Sequence, residues 1–207
     1  MKKVNKREKI DDEILFTMSE EIDSQVDRAT RIINHMRQFG RKSDPKLDEI
    51  QVNDVLEKSL EIFSQQLVVR GIEVDWEIEE NLPLTMADAD RLEQVFINLL
   101  INARDAIEEK WELKSSQKGD KKITLKSRSE GQRVIVEVQD TGGGVAGSII
   151  DKVFEPFFTT KNAGRGTGLG LSISYRIVHD LGGRIKVVSR EGEGARFIIT
   201  FPTVPGR

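Results

Sequence analysis

The sequence has no cysteine, two histidines, one tyrosine and five prolines. Without cysteine there is no disulfide, no thiolate nucleophile and no sulfur-held metal. Two histidines leave little room for a histidine metal cluster, so any chemistry falls to carboxylates, amides, Lys, Arg and backbone. No stretch approaches the roughly 20 apolar residues that a membrane-spanning helix requires. The start, Met1-Lys2-Lys3-Val4-Asn5, lacks the apolar core of a signal peptide, so the chain as given reads as cytoplasmic. Positive charge is not in excess either: 32 Lys and Arg face 35 Asp and Glu, a net charge of −3 that argues against nucleic acid as the main partner. What is present is 207 residues rich in charge of both signs, enough for one ordinary domain with a sizeable core plus an appendage.

From about Asp11 to Gly40 the pattern is that of one long amphipathic helix. Leu15, Met18, Ile22, Ala29, Ile32, Met36 and Phe39 recur on steps of three and four, interrupted by Gln25, which is a helix-bundle seam. One helix cannot bury such a seam alone, so it implies a partner helix from the same protein, a second copy, or both. Gly40 reads as its cap and Arg41-Lys42-Ser43-Asp44-Pro45 as a polar connector, which divides the chain into residues 1–45 and 46–207.

The second part alternates strands and helices. Ile50-Gln51-Val52-Asn53 reads as a short strand, with Asn53 a candidate cap for a helix ending near Arg70 and Gly71 as its stop. Ile72, Val74, Trp76 and Ile78 alternate as a half-buried strand does. A second helix spans about Asp90 to Lys110, and strands follow at Ile123–Lys126 and Val134–Val138. A third helix over about Gly168–Leu181 precedes a closing hairpin, Ile185–Val188 and Phe197–Phe201. This order predicts an α+β fold, a two-layer sandwich of a mixed sheet with helices on one face, preceded by the long N-terminal helix.

Three places carry chemistry. Asp140 shares strand parity with Val134, Val136 and Val138 and so projects from the buried face, followed by Thr141-Gly142-Gly143-Gly144. An Asp-capped turn would explain the pattern; so would a pocket for a planar ligand with an amino donor, where a buried carboxylate needs a hydrogen-bond partner. On the second helix Leu92, Val95, Phe96, Leu99, Ala103 and Ala106 form a core face, with Asn98, Asn102 and Asp105 as a polar stripe beside it. Amides bonded to neighbouring backbone account for such a stripe, as does a Mg²⁺ site completed by phosphate oxygens and water. Gly164-Arg165-Gly166-Thr167-Gly168-Leu169-Gly170 opens the third helix, after Lys161, and reads as a flexible turn or as an anion site at a helix start; a glycine-rich dinucleotide loop would need a parallel βαβ unit opening on it, which the pattern lacks. The stretch from Thr141 to Gly166 is too long for an idle connector; loops of this length in a compact domain are lids, binding loops or disordered segments.

Taken together, these places resemble a known family. Asn98-Leu99-Leu100-Ile101-Asn102-Ala103 looks like the N box, Asp140-Thr141-Gly142-Gly143-Gly144 like the first glycine box and Phe154-Glu155-Pro156-Phe157-Phe158 like the F box of the ATP-binding catalytic domain of sensor histidine kinases. Gly166-Thr167-Gly168-Leu169-Gly170-Leu171 looks like the second glycine box and Gly192-Glu193-Gly194-Ala195-Arg196-Phe197 like a third, with Ala195 where the family often has Thr. The resemblance covers roughly Leu47 to Pro202, and the long first helix, with Arg31–Arg37 at its end, is similar to the second helix of the family's dimerisation and phosphotransfer hairpin. It implies ATP and Mg²⁺ as cofactors. Asp140 would accept from the adenine amino group, with Gly142 and Gly144 shaping the pocket. Asn102 would hold Mg²⁺ with Asn98 beside it, both as catalytic residues. Lys161 and the backbone of Gly166, Thr167, Gly168, Leu169 and Gly170 would hold the phosphates, and Phe154, Phe157 and Phe158 would anchor a lid.

The family's phosphoacceptor histidine, followed by an acidic residue and an Asn-Pro or Thr-Pro pair, has no counterpart here; His35 is followed by Met36 and Arg37. The resemblance therefore implies the catalytic portion of a kinase that transfers the γ-phosphoryl group of ATP to a histidine upstream of this chain, for relay to a response regulator. It also implies a homodimer in the intact protein, which a membrane anchor would not contradict. Two other readings stand beside it. One is an ATP-binding switch or scaffold without kinase activity. The other is an ATPase related to gyrase, chaperone and mismatch-repair enzymes, in which a glutamate usually occupies the place of Asn98.

Overall fold

The computed structural model describes residues 46–113, 120–161 and 166–204. The long helix at Asp11–Gly40, its seam, His35, the boundary at residue 45, Gly164 and Arg165 lie outside the described residues. The compact unit described below comprises the residues before Thr160 and those from Gly168 onward; Thr160, Lys161, Gly166 and Thr167 belong to a separate unit.

In chain order the elements are β1 (Asp48–Ile50), α1 (Val52–Val69), β2 (Glu73–Ile78), β3 (Thr85–Ala87), α2 (Ala89–Leu113), β4 (Lys122–Ser129), β5 (Arg133–Asp140), a 3₁₀ turn (Ile150–Lys152), α3 (Gly170–Asp180), β6 (Arg184–Arg190) and β7 (Gly194–Pro202). β1 and β3 form a small antiparallel pair. The main sheet has the order β2-β4-β5-β7-β6, with β2 parallel to β4 and the other neighbours antiparallel. A mixed sheet follows from the connections: tight turns join β4 to β5 and β6 to β7, while β2 reaches β4 only through a crossover that contains α2.

Strand alternation sorts the sheet into two faces. Leu125, Val136, Val138, Phe197, Ile199 and Phe201 point to one side and join Leu56, Phe63, Phe96, Leu99, Ile107 and Ile177 of the three helices in one core. The opposite face is charged. Lys122 pairs with Asp75 at 2.9 Å and Lys126 with Glu77 at 2.5 Å, while Glu137 is buried beneath Arg128 and Arg196. The expected two-layer α+β sandwich is present. No helix among the described residues is long and apolar enough to cross a membrane.

Several elements differ from the expected bounds, α3 among them, which runs Gly170–Asp180 rather than from Gly168. Gln51, not Asn53, caps α1: its side-chain oxygen accepts from the Asn53 N–H, and Asn53 instead donates from Nδ2 to the Glu79 carbonyl at 2.9 Å. Val52 is accordingly helical, and the preceding strand ends at Ile50. β3 has no alternating pattern of its own and forms because Thr85–Ala87 finds β1 as a partner. β4 and β7 outrun the expected strands because pairing with β5 extends them past their apolar centres.

Candidate functional site

The site is built around the end of β5. Asp140 projects to the helix side as strand parity predicts and is 3% exposed. Its Oδ1 accepts from the Gly142 N–H at 2.7 Å and the Ala195 N–H at 3.3 Å. Among the described residues no group bonds Oδ2, so this buried carboxylate retains acceptor capacity for a ligand. Burial pushes its carboxyl up to about 6, against the opposing pull of the two backbone N–H groups and the Lys110 ammonium. At neutral pH it is still ionised, and a donor brought into the pocket would relieve its desolvation.

The glycines around Asp140 are there for space. A Cβ on Gly142 would lie 2.7 Å from the Ala106 backbone and from Asp140 Oδ1, so a side chain would push the turn off α2. Gly194 has φ +91°, and a Cβ there would stand 2.0 Å from the Asp140 carbonyl oxygen. The β6–β7 hairpin thus closes directly against the carboxylate strand. Ser189 fastens the junction: it accepts from the Val145 N–H at 2.8 Å and donates to the Gly194 carbonyl at 2.7 Å.

α2 supplies the polar stripe. Asn98, Asn102 and Asp105 are all half-buried at the edge of the core face that holds Leu92, Val95, Phe96, Leu99 and Ala103. Asn98 Nδ2 donates to the Gly170 carbonyl and to Ser174 Oγ, each at 3.3 Å, and so ties the first turn of α3 to α2. Asn102, one helical turn on, has no hydrogen-bond partner among the described residues. Asp105 accepts from Arg104, which also donates to Gln66 at 2.6 Å and stacks over Phe63. The two amides therefore differ: Asn98 spends its Nδ2 inside the protein, and the Asn102 side chain bonds no described residue.

α3 starts at Gly170, and its N-cap residue Leu169 makes no side-chain cap hydrogen bond. Gly168 has φ +66°, and a Cβ there would lie 2.4 Å from the Phe157 carbonyl carbon. Phe157 itself adopts φ 66°, unusual for a residue with a side chain, and its ring is exposed. Phe154 is half-buried, with ring contacts to Tyr175 at 5.4 Å and Phe197 at 6.4 Å, and Phe158 is half-buried. Of the predicted residues, Asn98, Asn102, Asp140, Gly142, Gly144, Gly168, Leu169, Gly170 and these three phenylalanines lie in this one unit, with contacts joining Asn98 to Gly170, Gly168 to Phe157 and Asp140 to Gly142. Lys161, Gly166 and Thr167 fall outside it. Sequence reading missed Lys110, Ser189 and the backbone N–H of Ala195; only the position of Ala195 in a glycine-rich hairpin signalled any role.

Residues 87–205 match the family described as histidine kinase-, DNA gyrase B-, and HSP90-like ATPase. The chain is similar to the two-component sensor PprA of Pseudomonas aeruginosa, 36% identical over 195 residues, covering 93% of this chain and 20% of that protein. Among solved structures it is similar to the catalytic domain of the histidine kinase ThkA, with 32% identity and TM-score 0.65 over 77% of this chain and 97% of that one. It is also similar to full-length ShkA in complex with AMPPNP, with 26% identity and TM-score 0.72 over 98% of this chain and 41% of that one. The chain spans 20% of PprA and 36% of the next curated relatives that it matches.

Proposed function

Because the chain belongs to the histidine kinase-, DNA gyrase B-, and HSP90-like ATPase family, and within it to the catalytic domains of sensor histidine kinases, we propose that it binds ATP and transfers the γ-phosphoryl group to a histidine of a helical hairpin. The observation that carries this reading is the buried Asp140 with its unshared Oδ2, set in a turn that glycines press against α2. A carboxylate so placed selects an amino donor on a flat ring, as adenine presents. Gly142 and Gly144 keep the walls of that pocket free of side chains.

The phosphates would lie between α2 and the start of α3. Asn102 fits a Mg²⁺ ligand: it is a neutral oxygen donor, half-buried and not bonded to the described protein, in keeping with the preference of Mg²⁺ for a few protein oxygens completed by phosphate and water. When bound, Mg²⁺ would neutralise phosphate charge. Asn98 holds the first turn of α3 against α2, so that the N–H groups after Gly168 face the same phosphates that Asn102 serves. Lys161, Gly166 and Thr167 would add a cation and further backbone donors, and Phe154, Phe157 and Phe158 would anchor the segment that covers the nucleotide. Positioning and charge neutralisation supply most of the catalysis in phosphoryl transfer.

Asn98 also bears on hydrolysis. An amide cannot take a proton from water, and this one is spent on Gly170 and Ser174, so the chain favours transfer over steady ATP consumption. In the intact protein we place the domain in a cytoplasmic homodimer that passes phosphate to a response regulator. The test supplies ATP, Mg²⁺ and a histidine-bearing helical hairpin and follows labelled phosphate on that histidine. The parent chain transfers, and Asn102→Ala loses about 100-fold or more in rate, the scale for one positioned transition-state contact. Transfer by Asn102→Ala at the parent rate would remove Asn102 from the site.

A further inference from the structure

The last turns of α2 carry a cation that none of the motifs above includes. Lys110 Nζ donates to the carbonyl oxygen of Thr141 at 2.7 Å, so an ammonium from the helix reaches the turn directly after Asp140. The rest of Thr141 is occupied. Its N–H donates to the Lys122 carbonyl at 3.1 Å, and its Oγ1 donates to the Asp120 carbonyl at 2.7 Å and accepts from the Lys122 N–H at 3.0 Å. One helical turn before Lys110, the Ala106 carbonyl accepts from the Gly143 N–H at 3.3 Å. The glycine turn is therefore stitched to β4 on one side and to α2 on the other.

Other cations near the end of β5 are committed to the opposite face of the sheet or to the hairpin. Lys122 of β4 pairs with Asp75, Arg196 of β7 with Glu137, and Arg190 of the hairpin with Glu193. Lys110 is the charged group whose field acts on Asp140. On the reading that this pocket takes a nucleotide, we infer that Lys110 is a positioning residue: through Thr141 it fixes the Asp140–Gly144 turn against α2, and it holds a positive charge at the residue next to the carboxylate that would receive the amino donor of the base. Its place in the last turns of α2 also suits the helix dipole, which by itself would make Lys110 merely structural.

Two readouts on the full chain separate these roles. The first follows the Asp140 carboxyl carbon by NMR through a pH titration without nucleotide, in the parent and in Lys110→Met, Lys110→Gln and Lys110→Arg. The midpoint rises by about half a unit to one unit in Lys110→Met, the scale for losing one screened partner. It rises equally in Lys110→Gln, which keeps a donor for Thr141 but no charge, and stays at the parent value in Lys110→Arg. An unchanged midpoint in Met and Gln overturns the electrostatic role. The second readout is ATP affinity by calorimetry: Lys110→Met binds about 1.5- to 3-fold more weakly near pH 6.5, as its smaller ionised fraction requires, and recovers most of the loss near pH 8. A loss of the same size at every pH overturns the inference in favour of a structural lysine. If the parent chain binds no ATP, the nucleotide reading fails, while the carboxyl titration still decides what Lys110 does to Asp140.

Discussion

Asp140 makes the protein less stable than it could be. Its folded carboxyl titrates near 6 against an ordinary value of 3.8, so folding favours the protonated form. The associated stability is complete below about pH 4 and is lost as pH rises through about 6, a loss of about 3 kcal/mol by neutral pH. Asp140→Asn keeps an oxygen for the Gly142 and Ala195 N–H groups and removes the buried charge. It should raise stability by about 1–3 kcal/mol near pH 7.5 and by little near pH 4, measured by urea unfolding at both pH values. The same substitution turns an acceptor into a donor toward the base and should weaken ATP binding by about 10- to 100-fold. Equal stability of the two proteins at neutral pH would mean that the carboxylate is not desolvated as the structure shows.

The glycine turns act as elements with unequal tolerance. A methyl group on Gly194 or Gly142 meets backbone or Asp140 itself, and Gly194 also needs its positive φ. Gly170 differs: a Cβ there would meet only the Asn98 amide, at 3.9 Å, and the residue lies in the first turn of α3. Gly194→Ala should therefore lower the thermal midpoint, consistent with a cost of about 2 kcal/mol or more for strain that the junction with β5 cannot absorb. Gly170→Ala should hold the midpoint or raise it slightly, because alanine is the better helix former by up to about 1 kcal/mol. Parallel melting curves check both. ATP titration then asks whether Gly170 is small for the ligand's sake, which predicts weaker binding by Gly170→Ala despite an intact fold.

On the scale of the whole molecule, site and core cannot be separated. Asp140 ends a strand whose alternate residues are core, and Asn98 and Asn102 flank the fully buried Phe96 and Leu99 on α2. Phe96→Ala should cost about 3–5 kcal/mol, and in urea the nucleotide site should be lost in the same transition as the fold. A site that outlived the core, read by ATP binding beyond the unfolding midpoint, would contradict that arrangement. Much of this was legible in the chain. The period of two in Val134, Val136, Val138 and Asp140 put a carboxylate on the buried face, and the three-four spacing on α2 put Asn98 and Asn102 at the core's edge. Order of elements alone predicted the α+β sandwich, because each apolar face needs another to cover it. Local pattern could not reveal partners that are remote in sequence. Nothing near Thr85 announces a strand until β1 lies beside it. Nothing near Asn98 distinguishes it from Asn102 until the Gly170 carbonyl, 72 residues away, takes its amide proton. Lys110 looks like any helix-end lysine until Thr141 folds against it. The sequence by itself determined which residues are buried and which loops can approach a ligand, since periodicity and glycine act locally. Only the tertiary structure decided which of the polar groups are already spent on the protein and which remain for a ligand, since a hydrogen bond depends on where distant atoms meet.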